Sequence, residues 1–316
     1  MDAMGVYYLM AMMNPVGSLK NLIPNLTIRG TGFSWNLVAD VLAQFQYAFM
    51  QHAYMAGIIV AVVAGIVGYF VVLRSLSFAG HALSHIGFAG ATGAVALGVN
   101  PIYGLLVFTV GAAMGMGFMG KRIYGRDVVI GIVLAWTLGL GVLFLSLYTG
   151  YATEAYALLF GEILGISQAD VVVTLIAGVV TLIAMAIMFR PLLFASVDGD
   201  VAEARGVPVR LLSILFMVVL AISVSEAVQV VGVLLIFALL VTPPAIAERL
   251  TAHPIKAIGL SELLAILFTC IGLFISFYLP YPVSFFITTL AFITYLVVRL
   301  WAYVRQRFTK LTSEDV

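Results

Sequence analysis

Between Ala53 and Trp301 the chain repeats one pattern, an apolar run of about 20 residues followed by a short break, and most breaks carry Arg or Lys. A helix of that length crosses a hydrocarbon core of about 30 Å, so the pattern predicts a train of membrane spans. They fall at about 53–73, 78–98, 102–119, 128–148 and 170–189, then at 209–225, 228–246, 257–279 and 283–302. Composition leaves little room for another class. With 63% hydrophobic and 9% charged residues and a mean hydropathy of +1.17, the 316 residues cannot cover a soluble globule, whose charged share is about 25%. Soluble enzymes, nucleic-acid binders and disordered scaffolds are excluded.

The stretch from Leu211 to Thr242 has no basic residue and only Glu226 and Gln229 as strongly polar interruptions. As one helix it would measure about 48 Å, too long for a single span even when tilted. Arg210 and Arg249 flank it, and both lie on the cytoplasmic side if the chain turns round near Glu226. A hairpin of two spans is therefore expected. The same topology places Arg74, Lys121, Arg122, Arg126, Arg190, Arg205, Arg210, Arg249, Lys256, Arg299, Arg305, Arg307 and Lys310 inside, leaving only Lys20 and Arg29 outside. That asymmetry predicts an all-α polytopic membrane protein with about nine spans, eight to ten at the limits, N-terminus out and C-terminus in. The limits arise because Trp35–Gln51 reads equally as an interfacial helix or a partial span, and Tyr148–Gly165 as a re-entrant segment.

Residues 1–52 are expected to form an extracytoplasmic or interfacial segment, 53–303 the transmembrane domain, with a cytoplasmic loop at 190–208, and 304–316 a cytoplasmic tail. No basic residue precedes Lys20, so the N-terminus lacks the n-region of a signal peptide. The lone Cys270 lies in an apolar run and reads as a buried thiol. Small residues at four-residue spacing, Gly57, Ala61 and Gly65 and then Gly111 and Gly115, are expected to let helices approach closely.

Two imidazoles stand out in the second span, His81 and His85, four residues apart among small and apolar neighbours. At that spacing they share a helix face, with Cβ atoms about 6 Å apart, and both can ligate one ion. Neutral imidazole suits zinc and also manganese, iron, copper or nickel. The plainer reading is a polar pair hydrogen-bonded to neighbouring helices, but ionisable groups at that depth point to function. Glu226, one turn before Gln229, is a candidate oxygen ligand at an outer mouth or else a solvated turn carboxylate. Glu262, Asp40 and His52 carry weaker signals.

Gly115-x4-Gly120-Lys121 imitates a phosphate-binding loop, but Arg122 stands where Ser or Thr would hold magnesium, and it ends a membrane helix. The chain is therefore not expected to hydrolyse ATP. Asp198 to Arg205 reads as a short capped helix stopped by Gly206 and Pro208, either a cytosolic docking element or a simple connection.

Phe70-Val71-Val72-Leu73-Arg74-Ser75-Leu76-Ser77-Phe78, followed by His81 and His85, resembles the permease subunits of bacterial zinc and manganese ABC importers, the ABC-3 type. Leu159 to Gly165, the loop Asp200 to Gly206, and Val231 to Leu235 continuing through Leu240 to Pro244 match further motifs of that family in order. Together they cover about residues 45–300. The resemblance implies a type II importer-like permease in the bacterial cytoplasmic membrane, working as a dimer. It also implies a separate cytoplasmic ABC ATPase, coupled through Asp200, Glu203, Ala204, Arg205 and Gly206, and an extracytoplasmic protein that delivers the ion. In that family the first position of the pair is commonly Asp, and here it is His81. Imidazole in place of a hard carboxylate shifts the expectation toward zinc, with manganese and iron next. No permanent cofactor is expected, only the transported metal.

Two other classes fit the residues less well. An intramembrane zinc enzyme would need a general base, and Ala82 stands where zinc peptidases place Glu. A secondary transporter would show inverted repeats and paired broken helices, which are not evident.

Overall fold

The computed structural model describes residues 37–119, 126–147 and 161–314. Lys20, Arg29, Lys121, Arg122, Leu159, Phe160 and most of Tyr148–Gly165 lie outside that set. Among the described residues the chain is wholly helical: α1 Leu37–Gln44, α2 Ala48–Leu73, α3 Ser77–Ala96, α4 Pro101–Met119, α5 Arg126–Leu147, α6 Gln168–Val197, α7 Gly199–Ala204, α8 Val209–Leu250, α9 Pro254–Tyr278 and α10 Val283–Glu314. The chain divides into two compact units, 1–40 and 41–316. Of the first, only the opening residues of α1 are described, and helices α2 to α10 all belong to the second.

Seven helices, α2, α4, α5, α6, α8, α9 and α10, are long and apolar enough to cross a membrane. The 42 residues of α8 do so twice. Arg74, just past the inner end of α2, donates to Ser213 near the start of α8 (2.6 Å), while Gly68, less than two turns higher, packs against the Leu240 carbonyl and Pro244. A straight rod would separate Ser213 from Leu240 by about 40 Å, so the chain must fold back between them. It does so at Gly232, the one non-helical residue inside α8 (φ 82°, ψ 163°). Residues on either side of it, Ala227 and Ile236, then Ser223 and Leu240, line the same space against Val60, Val63 and Ala64 of α2. The reversal therefore lies six residues beyond the expected position at Glu226. An L side chain is strained in that backbone conformation, and glycine is not.

Among the described residues, α3 is a ninth candidate crossing. Its 20 residues are too polar on average to stand among the apolar seven because His81, His85, two serines and a threonine dilute it. Neighbouring helices shield it instead. Gly90 of α3 and Gly104 of α4 are so close that a Cβ on either would overlap the other's carbonyl oxygen, and the Thr109 hydroxyl of α4 meets Ser225 of α8 at 2.6 Å. Small-residue packing also joins α2 to α9, where Gly57 faces Thr269 and Gly65 the Glu262 backbone. A Cβ on Gly111 or Gly115, by contrast, would meet nothing within 4 Å from another segment of the described residues.

The helix α6 starts on a capping box, in which Ser167 accepts from the Asp170 amide and Asp170 from the Ser167 amide. It runs through Pro191 to Val197 at the inner side, so the cytoplasmic loop starts eight residues later than the apolar run suggests. The short helix α7 comes next, its N-cap Asp198 accepting from the Val201 amide at 3.0 Å. It ends in a Schellman turn, Gly206 at φ 83° bonding Glu203 and Val207 bonding Ala202.

Candidate functional site

Only one stripe of α3 is open. Every residue from Ala79 to Ala94 is buried except His81 and His85, and Phe78 precedes them on the same face at 39% exposed. The helix is sealed on its other sides by α4, α5 and α8, which leaves the imidazoles as the polar groups of the open side. Counting from the inner end of α3, they sit about 6 and 12 Å along the helix, in its cytoplasmic half.

The two rings meet edge to face, with centroids 4.6 Å apart and planes at 75°. Phe237 from the second arm of α8 backs His81 at 4.8 Å. Nδ1 of each ring is buried and has no hydrogen-bond partner. A buried ring nitrogen without a partner loses its hydration for nothing, unless a ligand or a conformational change supplies one. Among the described residues no group of three His, Cys, Asp or Glu side chains gathers anywhere. The pair can offer two nitrogen donors, and water or a second copy of the chain would have to complete the shell.

Glu226 is elsewhere. It is 6% exposed, six residues before the reversal, and both carboxylate oxygens are buried without a partner. Its surroundings are Val60, Val63 and Ala64 of α2, Ile236 and Leu240 across the hairpin, and Gly178 of α6, where a Cβ would stand 3.5 Å from Oε1. It is neither a solvated turn residue nor a neighbour of the imidazoles. Asp200, Glu203, Ala204, Arg205 and Gly206 lie on α7 and its terminating turn, where Ala202 alone is buried and anchors that helix.

Some groups carry no residue pattern that singles them out. A cavity of about 330 Å³ at the outer end is lined by Asn100, Glu162, Asp170, Thr174 and Gln229; these come from separate stretches of chain and share no local signal. Ser196 and Ser213 both bind Arg74 across more than a hundred residues. Phe237 reads like any aromatic of an apolar span.

Comparison with known proteins agrees with this architecture. The model of the ABC 3 transport family matches residues 46–302. A manganese transport system membrane protein, MntC, of Listeria innocua is 34% identical over 233 residues, 73% of this chain and 83% of that protein. A manganese import system permease protein, ScaB, of Streptococcus parasanguinis is 35% identical over 240 residues, 76% of this chain and 85% of its own length. Among solved structures, PsaBC from Streptococcus pneumoniae in complex with Fab superposes with a TM-score of 0.74 at 30% identity, covering 83% of this chain and 95% of that one. The chain belongs to the ABC 3 transport family.

Proposed function

We propose that this protein is the permease of an ATP-driven importer of manganese, and that His81 and His85 line the route the ion takes. As a member of its family it is a transport subunit in the bacterial cytoplasmic membrane, with ATP hydrolysed on a separate cytoplasmic chain and metal delivered by an extracytoplasmic binding protein. The carrying observation is the imidazole pair itself, two unpartnered ring nitrogens on the single open stripe of an otherwise sealed helix. Manganese rests on the relatives, several of which are named for it. The sequence alone favours zinc, because ligand softness is visible in it and the choice of ion is not. Affinity at such a site rises from manganese to zinc whichever ion is carried, so geometry and metal supply decide which metal is moved.

Zinc remains the second reading, on the observation that His81 supplies nitrogen where the family pattern has a carboxylate. Uptake of radioactive manganese and zinc, each competed by the other, in cells that depend on this protein separates the two. Manganese accumulation is expected, falling about tenfold or more in His81→Ala and in His85→Ala while the complex still assembles. Zinc accumulation without manganese overturns the ion, and normal uptake by both variants overturns the path.

A further inference from the structure

The corner between α2 and α3 is closed by backbone hydrogen bonds. Beyond α2 the Ser75 amide bonds Val72 and the Leu76 amide bonds Val71, a Schellman turn with Ser75 at φ 56°, a left-handed position rarely given to a residue other than glycine. The turn sets the angle at which α3, and with it His81, leaves the corner. Arg74 sits in this turn, and its guanidinium reaches out of it. One nitrogen donates to Ser196 Oγ at 3.2 Å and another to Ser213 Oγ at 2.6 Å, while the carbon between them lies 5.8 Å from the Phe216 ring.

Those two serines flank the short helix α7. Ser196 is in the last turn of α6, just before α7, and Ser213 in the first turns of α8, just after it. Each hydroxyl already donates to its own helix, Ser196 to the Leu192 carbonyl and Ser213 to the Val209 carbonyl, so each turns lone pairs toward the guanidinium. A planar fork holds its donors apart and preorganised, which suits two acceptors in different elements better than the single nitrogen of a lysine.

We infer that Arg74 is a transmission residue: it ties both legs of the loop that carries α7 to the corner from which the histidine helix starts, so that displacement of α7 moves α3. This rests on the proposed function, with α7 taken as the ATPase contact that the family resemblance implies. It adds a positioning residue that acts through α3 and touches no metal.

The test uses the permease reconstituted with its ATPase and binding protein in liposomes, with ATP hydrolysis and manganese import measured in the same vesicles. Arg74→Ala is expected to assemble and hydrolyse ATP while importing fewer ions per ATP by about tenfold, the scale of one lost charge-assisted hydrogen bond. Arg74→Lys, whose three donors sit on one nitrogen and do not span the fork, is expected to fall between. A purely structural role would lower hydrolysis and import in the same proportion, leaving ions per ATP unchanged, and that outcome overturns the inference. If Arg74→Ala does not assemble, the double variant Ser196→Ala/Ser213→Ala decides, because it keeps the arginine and removes the two acceptors that tie it to α6 and α8. A reduced ratio supports transmission and an unchanged one overturns it. A wild-type complex that imports no metal with ATP fails the proposed function and this inference together, whereas normal wild-type import with an unchanged variant ratio fails the inference alone.

Discussion

At the scale of single residues, the two candidate ligands on the ion's route and the buried carboxylate behave oppositely. His81 and His85 keep an open side and unpartnered nitrogens, so changing them should alter which ion passes. His81→Asp is expected to raise manganese uptake relative to zinc, because a carboxylate oxygen is a harder donor than imidazole. Competition uptake measures it, and an unchanged ratio would show that the first position does not contact the ion. Glu226 has walls that are apolar apart from Ser223, and no partner for either oxygen. A charge there costs much more than a neutral amide of the same shape. Glu226→Gln is therefore expected to leave uptake near the wild-type rate and melting no lower, checked by transport and thermal unfolding in detergent. Loss of uptake with intact folding would return Glu226 to the pathway. Sequence pattern exposes the histidines because a four-residue spacing is local. It cannot show that Glu226 is enclosed, since its walls come from α2, α6 and both arms of α8.

Among elements, the hairpin α8 and its partner loop are the most tightly specified. Gly232 turns the chain at φ 82°, and Gly161, at φ 78°, approaches so closely that its Cβ would overlap the Val231 carbonyl. Gly232→Ala imposes a conformation that costs about 1–3 kcal/mol for an L residue. It is expected to lower the melting temperature and the yield of folded protein, measured by thermal unfolding in detergent. A melting curve equal to wild type would mean that the reversal is made elsewhere. Length and flanking arginines are enough to require a hairpin, but not to place its turn. Glu226 attracts the turn as the most polar residue of the run, whereas backbone geometry, for which an apolar stretch offers few markers, puts it at a glycine.

For the whole molecule, the proposed topology, with nine candidate crossings among the described residues, would put both ends of α8 on the cytoplasmic side. In a Cys270→Ser background, Leu97→Cys and Tyr281→Cys are expected to react with a membrane-impermeant maleimide in intact spheroplasts. Val201→Cys and Ile255→Cys should react only after permeabilisation. All four side chains are exposed in the structure, so burial does not confuse the result. Labelling of Ile255→Cys from outside would mean that α8 crosses once.

The all-helical membrane class is legible in the residues, and the apolar runs anticipate the candidate spans, because insertion into lipid is decided by local hydrophobicity; orientation is proposed from which breaks carry Arg or Lys. The histidine pair and the short helix α7, with its Asp198 cap and Gly206 stop, are legible for the same reason: each signal fits within a few residues. Tertiary structure alone decided the open face of α3, the burial of Glu226 and the bond from Arg74 to Ser196 and Ser213. Each depends on contacts between segments far apart in the chain, and periodicity along one helix says which side is apolar without saying which neighbour will cover it.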